Sequence, residues 1–314
     1  MTRSSDRILP GVVLMLVFCV LAPLLDVSAK FASATIPVAQ IVTARFLVQL
    51  LLMLPVLALM RLSPKMDLLL LGAVALRALF LILSTYSFVA AIAVMPLADA
   101  LAVAFVEPFI LLFLGHVLFK DAIGPRRIIA SITGFIGALF VIQPSMAAFG
   151  LVALWPLGTA FFFAFYMLST RSVSARMHPV AMQVHTSWIG ALICLPILFV
   201  ANGTGWPDFD PVMPQGSAWV ALFGVGFWAT VSHMCITYAL KLAPASTLGP
   251  LHYFEIVMAV IFGYYFFDDF PDALTFVGIA IIVGSGLYVI YRERLTAREA
   301  RQRAAAPQPK AASA

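Results

Sequence analysis

Residues 95–109 read MPLADALAVAFVEPF, and residues 243–257 read APASTLGPLHYFEIV. Within these stretches, Pro96 corresponds to Pro244 and Glu107 to Glu255. The same spacing along the chain also pairs Leu139–Ile142 with Leu287–Ile290. Similarity at one fixed offset indicates that a structural unit occurs twice in the chain. We therefore predict two consecutive repeats, residues 1–145 and 146–292.

The composition indicates that each repeat lies in a membrane. Of the 314 residues, 63% are hydrophobic and 11% are charged, whereas about a quarter of a soluble domain is charged. This composition excludes a soluble globular protein, a disordered chain and a nucleic-acid binder. A helix needs about 20 apolar residues to cross the bilayer. Apolar runs bounded by charge, proline or glycine occupy 9–29, 37–60, 68–91, 96–119, 127–143, 149–170, 180–201, 217–240, 246–267 and 273–291.

These runs predict an all-α polytopic membrane protein with ten transmembrane helices, five in each repeat. Because five is an odd number, the second repeat enters the membrane from the opposite side. Inverted-topology repeats of this kind are typical of alternating-access transporters, whose sites lie near the bilayer midplane. The basic segment after them, residues 293–314, is predicted to be a disordered cytoplasmic tail.

Basic residues predict the orientation of the chain. Most of the 19 Lys and Arg residues fall at the two termini or in the connections on their side of the membrane, whereas the opposite connections contain Asp208, Asp210, Asp268, Asp269 and Asp272. The positive-inside rule then places both termini in the cytoplasm. It also explains the basic charge balance without a nucleic-acid partner.

Ionisable residues within the apolar runs are the main candidates for a site, because a charge at mid-bilayer costs about 2.5–3.5 kcal/mol on insertion scales. Arg77, Glu107 and Glu255 are predicted at similar depths, and Arg45 lies farther from the cytoplasm. One interpretation is a polar cavity, in which arginine holds an anionic group and glutamate binds a cationic group or carries a coupling proton. The other is a set of structural ion pairs, which we favour for Arg45.

Other side chains are weaker candidates for the cavity wall. Four of them are Tyr86, Trp228, His233 and Tyr253, whose polar tips suit a wet surface. His252 and Glu255 have metal-ligand spacing but no second pair, so we predict a cavity wall and neither a metal nor a cofactor. Asp99 is interpreted as a helix-end charge or a guide at the outer mouth. Asp26 and Lys30 are interpreted as an i,i+4 ion pair.

Glycines in the last helix of each repeat indicate close helix packing, within the chain or in a homodimer. They are Gly134, Gly137, Gly278, Gly284 and Gly286.

Nearly the whole chain resembles the EamA family of the drug/metabolite transporter superfamily. The resemblance is carried by Met95–Ala100, Phe105–Phe109, Asp121 with Gly134 and Gly137, Tyr253–Val257, Phe267–Pro271 and Gly278, with Lys30 and Arg45 at positions where the family often has Lys and Arg. The chain departs from the family in having Asp121 and Asp269 where Glu is usual, and its second repeat has Ile256 in place of Pro108. The resemblance implies ten helices in a bacterial inner membrane around a central cavity.

The resulting prediction is a secondary transporter of a small organic metabolite, driven by a gradient or by exchange. The segment Pro96–Ala100 is similar to members linked with riboflavin or S-adenosylmethionine uptake. Alternatives are an exporter of amino acids or drugs with the same fold, and a membrane scaffold or receptor that transports nothing. The sequence has no HExxH, GxSxG or P-loop motif, so we do not predict an enzyme.

Overall fold

The computed structural model describes residues 8–62, 66–119, 125–174, 176–242, 251 and 253–305, and its regular structure in these ranges is helical. The α-helices are α1 (Ile8–Ser33), α2 (Val38–Leu59), α3 (Leu68–Ile92), α4 (Leu97–Ala104), α5 (Glu107–Phe119), α6 (Pro125–Phe149), α7 (Trp155–Ser174), α8 (Pro179–Ala201), α9 (Ser217–Leu242), α10 (Phe254–Phe267) and α11 (Ala273–Ala305). A short 3-10 helix, Gly150–Leu154, joins α6 to α7.

Six helical segments in the described residues are long and apolar enough to cross a bilayer: Leu9–Ser33, Val38–Leu59, Leu68–Ile92, Ser145–Thr170, Pro179–Ala201 and Ser217–Ala239. Large apolar side chains on their outer faces are exposed, such as Leu68 and Phe199, each with 84% of its surface accessible. Large apolar side chains exposed on the outside of the bundle indicate that the protein lies in apolar surroundings. The predicted class of an all-helical polytopic membrane protein is confirmed, and the ten-span, two-repeat layout stays a prediction.

The predicted run 96–119 is not one continuous helix. It divides into α4 and α5, with a turn at Phe105 and Val106. Pro108 explains the break, because proline has no N–H to donate to the carbonyl of Ala104 four residues earlier. The break places Glu107 at the start of α5.

The segment predicted as a disordered tail also differs from the prediction. Helix α11 includes the first part of 293–314, and it is described as far as Ala305. Residues 292–305 read RERLTAREARQRAA, and Ala, Arg, Glu and Leu are among the strongest helix formers. A basic composition alone therefore did not identify the end of the helix.

Helices from the two predicted repeats pack against each other throughout the bundle. Helix α1 packs on α9, α3 on α7, α2 on α8 and α9, and α6 on α11. One large apolar core joins them, with side chains such as Phe46, Leu81 and Ile256 almost completely buried. The two halves are therefore interleaved and share one core.

Helices α6 and α11 approach closely at two glycines. A Cβ atom added to Gly278 would lie 2.7 Å from the carbonyl oxygen of Gly137. A Cβ atom added to Gly137 would lie 3.1 Å from the carbonyl oxygen of Gly278. The predicted glycine packing thus occurs at this pair, whereas Gly284 has no atom within 4 Å of the corresponding position.

We expect Gly278→Ala to lower the melting temperature of the purified protein, because the methyl group would lie 2.5 Å from Cγ2 of the buried, β-branched Val141 and 2.7 Å from the carbonyl oxygen of Gly137. Gly284→Ala, in the same helix, is the matched control and should be neutral or slightly stabilising, since Ala exceeds Gly by about 1 kcal/mol in helix propensity. Thermal denaturation of both variants in detergent measures the difference. Equal melting temperatures would show that α6 and α11 are not in close contact here.

Candidate functional site: a central polar cavity

A cavity of about 150 Å³ lies within the bundle, between helices of both halves. Its polar wall contains Asp26, Arg45, Ser84, Thr85, Glu107, Thr159, Ser232, His233 and Glu255, and its apolar wall includes Phe18, Phe88, Phe105 and Phe163. Ligand pockets for small molecules typically measure about 300–1,000 Å³ and combine a mostly apolar lining with a few polar groups. The cavity has the mixed lining of such a pocket, and its volume in this conformation is below that range.

The two glutamates of the repeat occupy similar local positions in the cavity. Glu107 begins α5 after the break at Phe105, and Glu255 lies in the first turn of α10 after the turn at Tyr253. Both side chains are buried, with 9% and 7% of their surfaces exposed. The start of a helix favours a negative charge, so the helix breaks stabilise carboxylates that face the cavity.

Arg45 also lines the cavity, although the sequence favoured a structural ion pair. Its guanidinium donates hydrogen bonds to Thr85 Oγ1 on α3 and to His233 Nε2 on α9, the second at 3.2 Å. A guanidinium has no acceptor atom, so His233 accepts at Nε2 and its ring carries its proton on Nδ1. Arg45 therefore remains the cation of this pair, and His233 is neutral.

The Nε atom of Arg45 is buried and has no hydrogen-bond acceptor among the described residues. A buried donor without an acceptor costs about 1–3 kcal/mol, so a group that enters the cavity and accepts from Nε would relieve that cost.

Arg77 is not among the cavity-lining residues. It is 1% exposed, and it donates to the hydroxyls of Thr170 at 2.8 Å and Tyr166 at 2.7 Å, to Thr186 Oγ1 and to Gln183 Oε1. Its guanidinium also lies 4.5 Å from the centre of the Tyr166 ring. These contacts join α3 to α7 and α8.

Three predicted aromatic residues also lie outside the lining. Tyr86 stacks on Phe209 of the 202–216 connection, with ring centres 5.6 Å apart, and meets Trp155 edge-on. Tyr253 lies behind the wall, against Phe105 at 5.5 Å. Trp228 packs on its neighbour Phe227. The role predicted for these three rings at the substrate site stays a prediction.

Two further predicted site residues, Asp99 and His252, do not contribute to the described cavity lining. Asp99 lies in the first turn of α4 and accepts a hydrogen bond from Ser145 Oγ at 3.4 Å, so it sits at the helix end and not in the cavity lining. His252 lies outside the described residues. The described residues contain no group of three or more His, Cys, Asp or Glu side chains arranged to hold a metal ion.

Asp26 and Lys30 do not have the arrangement expected for an i,i+4 pair. Asp26 lines the cavity together with Arg45 and Glu255. Lys30 instead donates to Asp269 Oδ2 at 2.5 Å and to the carbonyl oxygen of Met95 at 3.1 Å. Sequence reasoning missed Asp26 as a cavity residue because local spacing offered it a partner that the tertiary structure gives to Asp269.

Lys30 marks one end of the bundle, which we call the Lys30 end; it comprises the connections 34–37, 93–96, 202–216 and 268–272. The long 202–216 connection is fastened there to α2: Asp208 accepts through its carbonyl from the Ala39 N–H, and Gln40 exchanges two hydrogen bonds with Val212. The ammonium group of Lys30 also lies 4.8 Å from the centre of the Phe267 ring. Contacts between the two halves therefore hold the Lys30 end together.

The chain matches the family described as "EamA-like transporter family" twice, over residues 9–143 and over residues 150–292. The chain is 28% identical over 207 residues to a riboflavin transporter of Vibrio cholerae, which covers 66% of each chain and so slightly less than two thirds of that relative. It is 24% identical over 219 residues to an S-adenosylmethionine uptake transporter of Rickettsia prowazekii, covering 70% of this chain and 71% of the other.

A pseudopaline exporter of Pseudomonas aeruginosa is 29% identical over 286 residues, covering 88% of this chain and 95% of the exporter. Among solved structures, one crystal structure superposes with a TM-score of 0.61 at 20% identity, covering 93% of this chain and 99% of the other. At this identity the structural likeness shows the fold alone. These relatives include one named for uptake and one named as an exporter, so their names do not give a direction of transport.

Proposed function

Because the chain belongs to the EamA-like transporter family of the drug/metabolite transporters, we propose that it carries a small organic metabolite across the bacterial inner membrane by alternating access. The observation that supports this most is the central cavity, in which buried charged side chains from both halves line one space. Ionisable groups in a membrane interior commonly mark a substrate or ion pathway. Arg45, Glu107 and Glu255 are the residues to which we assign the substrate site, with Asp26 and His233 beside them.

Two features favour a rocking motion of the repeats. The family description matches each half of the chain separately, and the cavity is lined by α1–α5 from the first half and by α7, α9 and α10 from the second. A relative movement of the halves would then expose one site to either side in turn, as in other transporters with inverted repeats. Exchange or a coupling proton would supply the driving force, and a homodimer is compatible with it.

The Lys30 end supplies a gate for this motion, and we assign it to the outer face of the membrane, with both termini in the cytoplasm. Lys30 on α1 binds Asp269, which lies between α10 and α11, and so connects the two halves. The pair is partly buried, with 16% and 26% of the two side chains exposed. Opening the outer side requires this contact to break.

Lys30→Gln is therefore expected to shift the protein toward the outward-open state. A charge-assisted hydrogen bond contributes about 1.5–3 kcal/mol, so access to the cavity from outside should increase about tenfold or more. Access is measured by the labelling rate of Ser232→Cys with an impermeant maleimide, after Cys19, Cys194 and Cys235 have been replaced by alanine. An unchanged rate would contradict the gate, and Lys30→Arg, which keeps the charge, is the control.

The transport function itself is tested by counterflow. Purified protein in liposomes is loaded with a broad metabolite pool, and mass spectrometry identifies the compounds that exchange against riboflavin, S-adenosylmethionine and amino acids. Exchange of a defined compound supports a transporter and identifies its substrate. No exchange by monodisperse, folded protein, with or without a pH gradient, would instead favour a scaffold or receptor.

A further inference from the structure

We propose that Arg45 and Thr85 together bind an acceptor oxygen of the substrate, either a carboxylate or a carbonyl oxygen attached to a flat apolar body. This inference rests on the proposed transport function and specifies the group that the substrate carries. It follows from two hydrogen-bond donors of the cavity wall for which the described residues supply no acceptor, and from the aromatic rings of the same wall.

The first donor is Nε of Arg45. Arg45 is 5% exposed and lines the cavity, and its Nε has no acceptor among the described residues. Its two other nitrogens donate to Thr85 Oγ1 and to His233 Nε2, and these contacts fix the guanidinium plane. A guanidinium presents its donors in a rigid planar fork that matches carboxylate and carbonyl oxygens. An acceptor that enters the cavity therefore meets a donor already held in place.

The second donor is the hydroxyl group of Thr85. A threonine in a helix commonly donates to the backbone carbonyl four residues earlier, as Thr43, Thr230 and Thr237 do in α2 and α9. The oxygen of Thr85 instead accepts from Arg45, and its own proton has no acceptor in the part of the chain that the structure describes. Since a hydroxyl group both accepts and donates, Thr85 retains a proton for a ligand.

The other hydroxyl groups of the cavity wall already have acceptors. Each donates to a backbone carbonyl oxygen, at 3.3 Å from Ser84, 3.4 Å from Thr159 and 3.5 Å from Ser232. Among the described lining residues, Thr85 thus differs from these three in the use of its proton. Because Arg45 binds Thr85 directly, the two donors lie next to each other on the wall.

The aromatic rings of the same wall favour a flat body. Four of them line the cavity: Phe18, Phe88, Phe105 and Phe163. Aromatic side chains stack on flat rings, and a few polar groups in a mostly apolar pocket fix the orientation of the ligand. A flat ring that carries a carboxylate or carbonyl group matches both parts of the wall.

Nicotinate, nicotinamide and 3-methylpyridine are matched probes for this inference. They share one flat ring, which carries a carboxylate in the first, a carbonyl group in the second and no acceptor oxygen in the third. We expect full-length protein in detergent to bind nicotinate or nicotinamide at least about tenfold more tightly than 3-methylpyridine, because Arg45 donates a charge-assisted hydrogen bond. Ligand-induced thermal shift measures the three affinities, and the tighter of the first two compounds distinguishes a carboxylate from a carbonyl.

Thr85→Val removes the hydroxyl group and keeps the shape of the side chain, so the preference should fall below about threefold. Thr85→Ser keeps the hydroxyl group and should retain the preference. Thr230→Val is the second control, because Thr230 is also buried but donates to Gly226 in its own helix and is not among the described lining residues. A ratio of affinities within one variant does not depend on its folded yield, so it separates recognition from stability.

Equal binding of the three probes, tighter binding of 3-methylpyridine, or a preference that persists in Thr85→Val would overturn the inference. If no probe binds, the compound exchanged from the metabolite pool decides. Its counterflow should fall at least about tenfold in Thr85→Val and stay near the original rate in Thr85→Ser and Thr230→Val. An unchanged rate in Thr85→Val, or an equal loss in either control, overturns the role of Thr85 and leaves the transport function standing. Absence of both probe binding and exchange by folded protein overturns the inference together with the transport function.

Discussion

Replacing Arg77 with alanine is expected to remove most of the folded protein. Four side chains accept from this guanidinium, on α7 and α8, and the site is almost completely closed to water. An unsatisfied buried polar group costs about 1–3 kcal/mol, so losing the shared donor should destabilise the protein by about 3 kcal/mol or more. The fraction of monodisperse protein after detergent extraction, with its melting temperature, measures the effect.

Arg45→Ala is the matched control, because it also removes a buried arginine from the membrane interior. Arg45 donates hydrogen bonds to fewer protein side chains than Arg77, and it lines the cavity. We therefore expect Arg45→Ala to give more folded protein than Arg77→Ala but strongly reduced transport. A folded, stable Arg77→Ala variant that no longer transports would contradict this assignment. It would support the sequence-based prediction that Arg77 contacts the substrate.

Glu107→Gln is expected to have the largest effect on transport among isosteric changes. The substitution keeps the size of the side chain and removes a carboxylate that lines the cavity. Because a hydrogen bond to a charged group contributes about 1.5–3 kcal/mol, counterflow should fall about tenfold to a hundredfold while the folded yield stays near that of the unchanged protein. Initial exchange rates in liposomes with equal amounts of protein measure this directly.

Asp67→Asn controls for the loss of a carboxylate elsewhere. Asp67 is exposed and binds Arg176 at 3.4 Å at the surface, so its removal should leave counterflow unchanged. Equal losses of yield and transport in Glu107→Gln would mean that this carboxylate stabilises the fold and does not serve the substrate.

The helical class of the fold was predictable because hydrophobic runs determine membrane helices almost independently of tertiary contacts. The interruption at Phe105 was not, although Pro108 was visible, because proline is tolerated in membrane helices when neighbouring groups satisfy the backbone. The helical structure of residues 293–305 was missed for the opposite reason. Helix propensity continues into a polar segment after the hydrophobic signal stops.

The cavity was predictable only in part. Glu107 and Glu255 were identified by the repeat, and the structure brings both to one cavity. Depth along a helix did not separate Arg45 from Arg77, because both are buried arginines and only their rotation about the helix axis decides what they face. Asp26 was missed because an i,i+4 neighbour offered a simpler partner, and Thr85 and Ser232 give no signal in an apolar sequence.

The most direct test of the central claim is substrate protection of a cysteine in the cavity. Ser232 is buried and lines the cavity, so Ser232→Cys without the three native cysteines reports occupancy by its rate of reaction with a maleimide. We predict that the compound identified by counterflow slows labelling at saturating concentration, and that fully labelled protein no longer exchanges it. Labelling at an unchanged rate, together with normal exchange by labelled protein, would show that the substrate passes elsewhere.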